Sequence, residues 1–121
     1  MYSAKLLDHF EHPRNVGETL NPDAAVEIEN PVCGDVLRLT LRVVGGRIVE
    51  ARFKAKGCVP AMACGSALTE LIVGKTPSEA RRLRRQEMID AVGDVPQASI
   101  HAAQLALDGL AAALNQLKLD H

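Results

Sequence analysis

The stretch VLRLTLRVVGGRIVEARFKAKGC, residues 36–58, decides the fold. Leu37, Leu39, Leu41 and Val43 alternate with Arg38, Thr40 and Arg42. Val49, Ala51, Phe53 and Ala55 alternate with Glu50, Arg52, Lys54 and Lys56. A period of two marks strands with one apolar and one polar face. Gly45-Gly46 between the runs is a two-residue hairpin turn, since glycine accepts the positive φ such turns require. Upstream, Val26 and Ile28 alternate with Glu27 and Glu29 in the same way. The expectation is a three-stranded antiparallel sheet with one apolar face.

That face needs a cover, and the flanking segments read as helices. SAKLLDHF (3–10) is a short helix capped by Ser3, and PRNVGETLNPDA (13–24) is a loop. From Pro60 to Val73 the apolar residues Ala61, Cys64, Leu68, Leu71 and Ile72 form a helical stripe. Pro60 suits its first position, and Gly74 suits its end. TPSEARRLRRQ (76–86) opens with the Thr76/Glu79 spacing of a capping box, and MIDAV (88–92) is one further turn. A final helix over about 99–118 carries Ile100, Ala103, Leu107, Leu110, Leu114 and Leu117 on one stripe. Strands followed by segregated helices predict a two-layer α+β fold, the sheet covered on one face by helices.

The chain has 121 residues, which predicts one domain over 1–121 with a real hydrophobic core. Acids and bases nearly cancel at 15 and 14, so no general field draws nucleic acid or an anionic membrane. With Tyr2, Phe10 and Phe53 as its whole aromatic complement, it lacks stacking platforms for single-stranded nucleic acid. No N-terminal run resembles a signal peptide, and no stretch reaches the ~18 apolar residues of a membrane span. The expected location is the cytoplasm. There a lasting disulfide is disfavoured, and cysteines serve metal, catalysis or packing. The chain also has no Cys-x-x-Cys pair and no glycine-rich phosphate loop, which argues against a thiol oxidoreductase or a nucleotide site.

Chemistry concentrates at two joints. Cys33 lies in the turn between the first two strands, with Gly34 and Asp35 beside it. Cys58 follows Gly57 at the end of the third strand, just before a helix N-terminus, whose unpaired N–H groups favour a thiolate. In a meander the third strand ends where the second begins, so Cys33 and Cys58 are neighbours in space. Asp35 and His101 are candidate partners, His101 in the first turn of the last helix. Two cysteines, an aspartate and a histidine suit Zn²⁺ or one edge of an iron–sulfur cluster. Each has a plainer role: Cys33 and Cys58 as small buried hydrophobes, Asp35 as a turn residue, His101 at a helix edge. Cys64 falls on the apolar stripe of its helix, which favours packing over metal ligation. The Arg81, Arg82, Arg84, Arg85 run reads as a solvated helix face, with a docking patch for an acidic partner as the minority reading.

LLDHFEHPRNVG (6–17), NPVCGDVLRLTLRV (30–43), RIVEARFKAKGC (47–58) and a helix ending VGKT (73–76) resemble, in order, the iron–sulfur cluster assembly scaffold family of IscU and NifU N-terminal type. The resemblance implies a scaffold, not an enzyme. Such a protein takes sulfur from a cysteine desulfurase, combines it with iron, holds a nascent [2Fe–2S] cluster and passes it to acceptor proteins. It places Cys33 and Cys58 as the first two cysteine ligands, Asp35 as the aspartate and His101 as the histidine preceding the third cysteine. In that third position stands Ala102. The chaperone-recruiting Leu-Pro-Pro-Val-Lys stretch is replaced by DVPQAS (94–99).

Three readings follow from the departure at Ala102. One is a scaffold or carrier with a reduced ligand set, its cluster labile or shared between two copies in a homo-oligomer. Cys64, a little over one helical turn below Cys58, is the candidate replacement thiol. Another is a zinc-bound sulfur acceptor using Cys33, Asp35, Cys58 and either His101 or Cys64. The last is a docking or regulatory protein without cluster chemistry.

Overall fold

The computed structural model describes residues 2–31, 34–93, 95–97 and 100–120. Helix α1 (Ala4–Glu11) leads into strands β1 (Ala24–Glu29), β2 (Val36–Val44) and β3 (Arg47–Lys56). Helices α2 (Val59–Ile72), α3 (Pro77–Arg81), α4 (Arg85–Ala91) and α5 (Ile100–Asp120) follow. The strands form one antiparallel sheet in the order β1-β2-β3. Gly45 and Gly46, at φ 61° and 78°, make the tight β2–β3 turn. Both central residues with positive φ match the right-handed twist of the paired strands.

The inward face holds Leu37, Leu39, Leu41, Ala51 and Phe53, all buried. The phase of β3 changes near its start. Arg42 pairs with Glu50, but Val43 pairs with Ile48, so Val49 is an extra residue in a β-bulge. The bulge turns Ile48 into the core at 0 % exposure and leaves Val49 42 % exposed. The expectation that Val49 faces inward is corrected accordingly. Alternation carried no sign of the slip, because Ile48 and Val49 are both apolar.

The outward face is not wholly solvated either. Thr40 is buried, because the loop after α1 folds over it and the Thr19 N–H donates to its hydroxyl at 2.9 Å. The same loop shields the β3 edge: the Gly17 N–H donates to the Phe53 carbonyl at 2.9 Å, and the Phe53 N–H to the Asn15 carbonyl at 3.0 Å.

Helix α2 was expected to bury one stripe. Instead Ala61, Ala63, Cys64, Ser66, Ala67, Leu68, Thr69 and Ile72 are all buried, while Leu71 is only half-buried. Contacts with α1, β3 and α5 explain this, since the helix is enclosed on several sides. Its small residues permit close approach. A Cβ on Gly65 would lie 2.6 Å from the Phe53 ring.

The expected helix over 76–86 is two helices. The Thr76/Glu79 capping box forms, with the Glu79 N–H donating to the Thr76 hydroxyl at 3.1 Å, but α3 ends at Arg81. Residues 88–91 belong to α4. Ala80 and Met88 are both fully buried. On one continuous helix they would point roughly 80° apart. The break turns both to the core and relieves the i, i+4 repulsion of Arg81 and Arg85.

On α5 the buried face runs through Ala102, Ala103, Leu105, Ala106, Leu110, Ala113, Leu114 and Leu117. Ile100 and Leu107, both expected inside, are exposed and half-buried respectively. The helix has turned its alanines to the sheet, where they let it come close. A Cβ on Gly109 would lie 2.8 Å from Leu37 Cδ2. Among the described residues, no helix is long and apolar enough to cross a membrane.

Candidate metal centre

The β1–β2 turn and the end of β3 meet at one end of the sheet. Val36 pairs with Lys56, so Asp35 stands opposite Gly57 and Cys58. The turn is closed by the Asn30 N–H donating to the Asp35 carbonyl at 2.8 Å and the Gly34 N–H to the Asn30 carbonyl at 2.7 Å. Asp35 is buried, at 3 % exposure. Its carboxylate faces Cys58 with both oxygens: Oδ1 accepts the Cys58 N–H at 3.1 Å, and Oδ2 accepts the Cys58 S–H at 3.1 Å.

Gly57 makes that clamp fit. Its φ of 138° suits glycine alone, and a Cβ there would sit 1.9 Å from Asp35 Oδ1. Cys58 is the N-cap of α2, but its side chain makes no capping bond and points to the carboxylate instead. His101, in the first turn of α5, brings Nε2 to 3.5 Å from Asp35 Oδ2 with its side chain about one-third exposed. Asp35, Cys58 and His101 thus place a carboxylate oxygen, a sulfur and an imidazole nitrogen within 4.8 Å of one another.

Such a set offers two donors that bind metal as anions and one neutral imidazole. It fits a borderline ion such as iron or zinc better than a hard ion that wants oxygen alone. Metal would take the place of the thiol proton that Cys58 now donates in its hydrogen bond to Asp35, because the thiolate is the ligand form. A cavity of about 490 Å³ opens beside His101, between the end of β1 and α5.

The predicted residues separate clearly. Asp35, Cys58 and His101 come together. Cys33 lies outside the described residues. Cys64 is fully buried in the α2 core and is not among the clustered donors of the described residues. Burial pushes its thiol up to about 12, and the charge of Cys58 adds to the shift. Ala102, following His101, is 1 % exposed and packs in the core.

Sequence reasoning missed two features. The first is the double grip of Asp35 on the Cys58 backbone and sulfur. Its signal was the Cys-Gly-Asp and Gly-Cys pair at adjoining strand ends. The second is a polar knot under α1, away from the metal centre. His9 Nδ1 lies 2.8 Å from Ser66 Oγ, which also accepts the Arg14 N–H at 2.9 Å. His9 is buried, and desolvation, with the Arg14 charge behind it, pulls its pKa below 6.5 against the opposing pull of Glu70 and Asp8.

A small α+β scaffold with sulfur, carboxylate and imidazole donors gathered at one end of its sheet is the class that fold and site define. The sequence model of the NifU-like N terminal domain matches residues 1–120, and the chain belongs to that family. It is 40 % identical over 114 residues to the iron–sulfur cluster assembly scaffold protein IscU 1 of Archaeoglobus fulgidus, covering 94 % of this chain and 74 % of that one. It is 39 % identical over 121 residues to the scaffold protein IscU of Escherichia coli K12, covering 97 % and 94 %. Solved structures share the fold. A protein described as a SUF-system cluster assembly scaffold from Fervidobacterium islandicum superposes with a TM-score of 0.78 at 23 % identity, covering 93 % of this chain and 96 % of that one. A NifU-like N-terminal protein from Brucella abortus gives 0.79 at 18 % identity, covering 98 % and 95 %.

Proposed function

We propose that this chain is an iron–sulfur cluster assembly scaffold whose cargo is iron and a nascent [2Fe–2S] cluster. The observation that carries the reading is the convergence of Asp35, Cys58 and His101 within 4.8 Å at one sheet end. The relatives named as cluster assembly scaffolds support it. In this reading residues 1–121 act as one cytoplasmic domain, and Cys33 supplies the fourth donor. Sulfur comes from a cysteine desulfurase, and the finished cluster leaves to an acceptor protein.

The protein's own part is positional. Asp35 holds the Cys58 backbone N–H and accepts a hydrogen bond from its thiol, which fixes where the sulfur points. His101, partly exposed, covers the site from α5. Ala102 leaves the site without a third cysteine at that position. Two thiolates, a carboxylate and an imidazole hold a cluster less firmly than three thiolates, which suits a carrier that must give its cargo up. Cys64, walled into the core, is not a ligand in this reading.

The test is anaerobic loading with ferrous iron, cysteine, a cysteine desulfurase and dithiothreitol as reductant of the transferred sulfur, followed by assay of protein-bound iron and acid-labile sulfide. Wild type retains both, Cys58→Ser loses at least about tenfold of each, and Cys64→Ala behaves as wild type. Zinc alone, colourless and without sulfide, would replace this reading with a zinc-bound sulfur acceptor. No metal in any form would leave a docking protein without cluster chemistry.

A further inference from the structure

The arginine run at 81–85 is left unused by the site and by the core. Arg81, Arg82, Arg84 and Arg85 are all exposed. Glu87 lies 3.6 Å from Arg84, and Asn115 accepts from Arg81 at 3.3 Å. Among the described residues neither Arg82 nor Arg85 has a partner of opposite charge or a hydrogen-bond acceptor. Four long cations within five residues repel one another, and only Arg84 has a carboxylate partner among the described residues.

Their placement is specific. The exposed ridge of α5 is Ile100, Gln104, Asp108 and Ala111, with Gln104 donating to Asp108 at 2.8 Å. A depression flanks the ridge on each side. One is the cavity beside His101, and Arg85 stands on its rim. The other, about 230 Å³, is floored by Leu83, Leu107 and Leu110, and Arg81 stands on its rim. The surface therefore combines recesses with apolar floors, a ridge whose single charge, Asp108, is held by Gln104, and arginines on the rims. It runs directly to the histidine of the metal centre.

We propose that the α5 ridge bordered by Arg81 and Arg85 is the docking surface for a small acidic apo-protein that receives the cargo at His101. The proposal rests on the scaffold reading above. Apolar recesses supply contact area, while the arginines select an acidic partner and speed its approach. Arg is suited to this role because its planar fork meets carboxylates with two parallel bonds. Docking here sets the acceptor's ligand loop against the partly exposed edge of the site.

The probe is an acidic apo-ferredoxin, with binding measured by calorimetry against the full chain. Wild-type binding should weaken about tenfold from about 50 mM to about 300 mM salt. Arg81→Glu/Arg85→Glu should weaken it at least about tenfold at low salt, the matching glutamine variant about threefold, and Lys54→Glu on the sheet's other face less than about twofold. Circular dichroism checks that each variant folds, and the glutamine set keeps the test decisive if the charge reversal does not. Absence of wild-type binding, or binding unchanged within about twofold in the arginine variants, overturns the proposal. Iron and sulfide measured on the same samples separate the two claims. Cargo held with charge-independent binding sinks the docking surface alone. Charge-dependent binding in a protein that holds no cargo supports the surface and sinks the scaffold reading.

Discussion

Gly57 is the residue on which the site's geometry is most exposed to challenge. Its φ of 138° and the 1.9 Å approach of a hypothetical Cβ to Asp35 Oδ1 act together. Gly57→Ala must strain the backbone or push the carboxylate off Cys58. A loss of about 2–4 kcal/mol is expected in urea unfolding, with a parallel fall in iron retention. Unchanged stability would mean that the clamp between Asp35 and Cys58 is not formed in solution. The two described cysteines should differ sharply in reactivity. Cys64, fully buried and with its thiol pushed up to about 12, should resist alkylation in the folded protein at neutral pH, while half-buried Cys58 is modified. Peptide mass spectrometry after brief iodoacetamide treatment reads this directly, and equal labelling would contradict the placement of Cys64. The cysteines show how far a sequence reaches at this scale. Cys58 was legible because glycine and a helix start surround it. The isolation of Cys64 became firm only with the packing of α1 and α5 around α2.

At the scale of elements, the bulge in β3 and the seat of α1 are the features to test. The bulge turns Ile48 inward and Val49 outward. Ile48→Lys should therefore unfold the protein or cost several kcal/mol, about 3 or more, while Val49→Lys costs less than about 0.5 kcal/mol. The reverse order would restore the strict alternation that the sequence suggested. Helix α1 is tied down by His9, whose folded pKa is lowered below 6.5 chiefly by burial. At pH above 6.5 the ring is neutral whether the chain is folded or not. As pH falls below that value the unfolded chain takes up a proton that the folded chain resists, and stability drops until the lowered folded pKa is reached. The urea midpoint should fall between about pH 7.5 and about pH 5.5, and His9→Gln should flatten that slope. An identical slope in His9→Gln would assign the pH dependence to other groups. The strands and their hairpin were readable because a half-buried strand has one rule, alternation. Helix faces were less so. Ile100 is exposed and Leu107 half-buried while Ala102 and Ala106 are buried, because contact distance to the sheet outranks side-chain hydrophobicity there. The break between α3 and α4 was hidden by a propensity for helix on both sides of it.

For the whole molecule, function follows from where the chain's joints fall. A meander brings the β1–β2 turn and the end of β3 to one edge, and α5 returns along the sheet to lay His101 over both. That three-way meeting was legible in outline, since strand order dictates it and Asp35, Cys58 and His101 were all candidates from their neighbours alone. The turn of α5 that delivers His101 was not, because the apolar stripe pointed to a different face. In the proposed function, with Ala102 packed in the core beside a mixed set of donors, the cargo is held through unlike atoms. The most direct measurement is iron X-ray absorption on the anaerobically loaded protein, for wild type and His101→Ala. The expected result is a mixed shell of sulfur and nitrogen or oxygen around iron, with outer-shell imidazole scattering that disappears in His101→Ala. An all-sulfur shell, or one unchanged by the substitution, would contradict it.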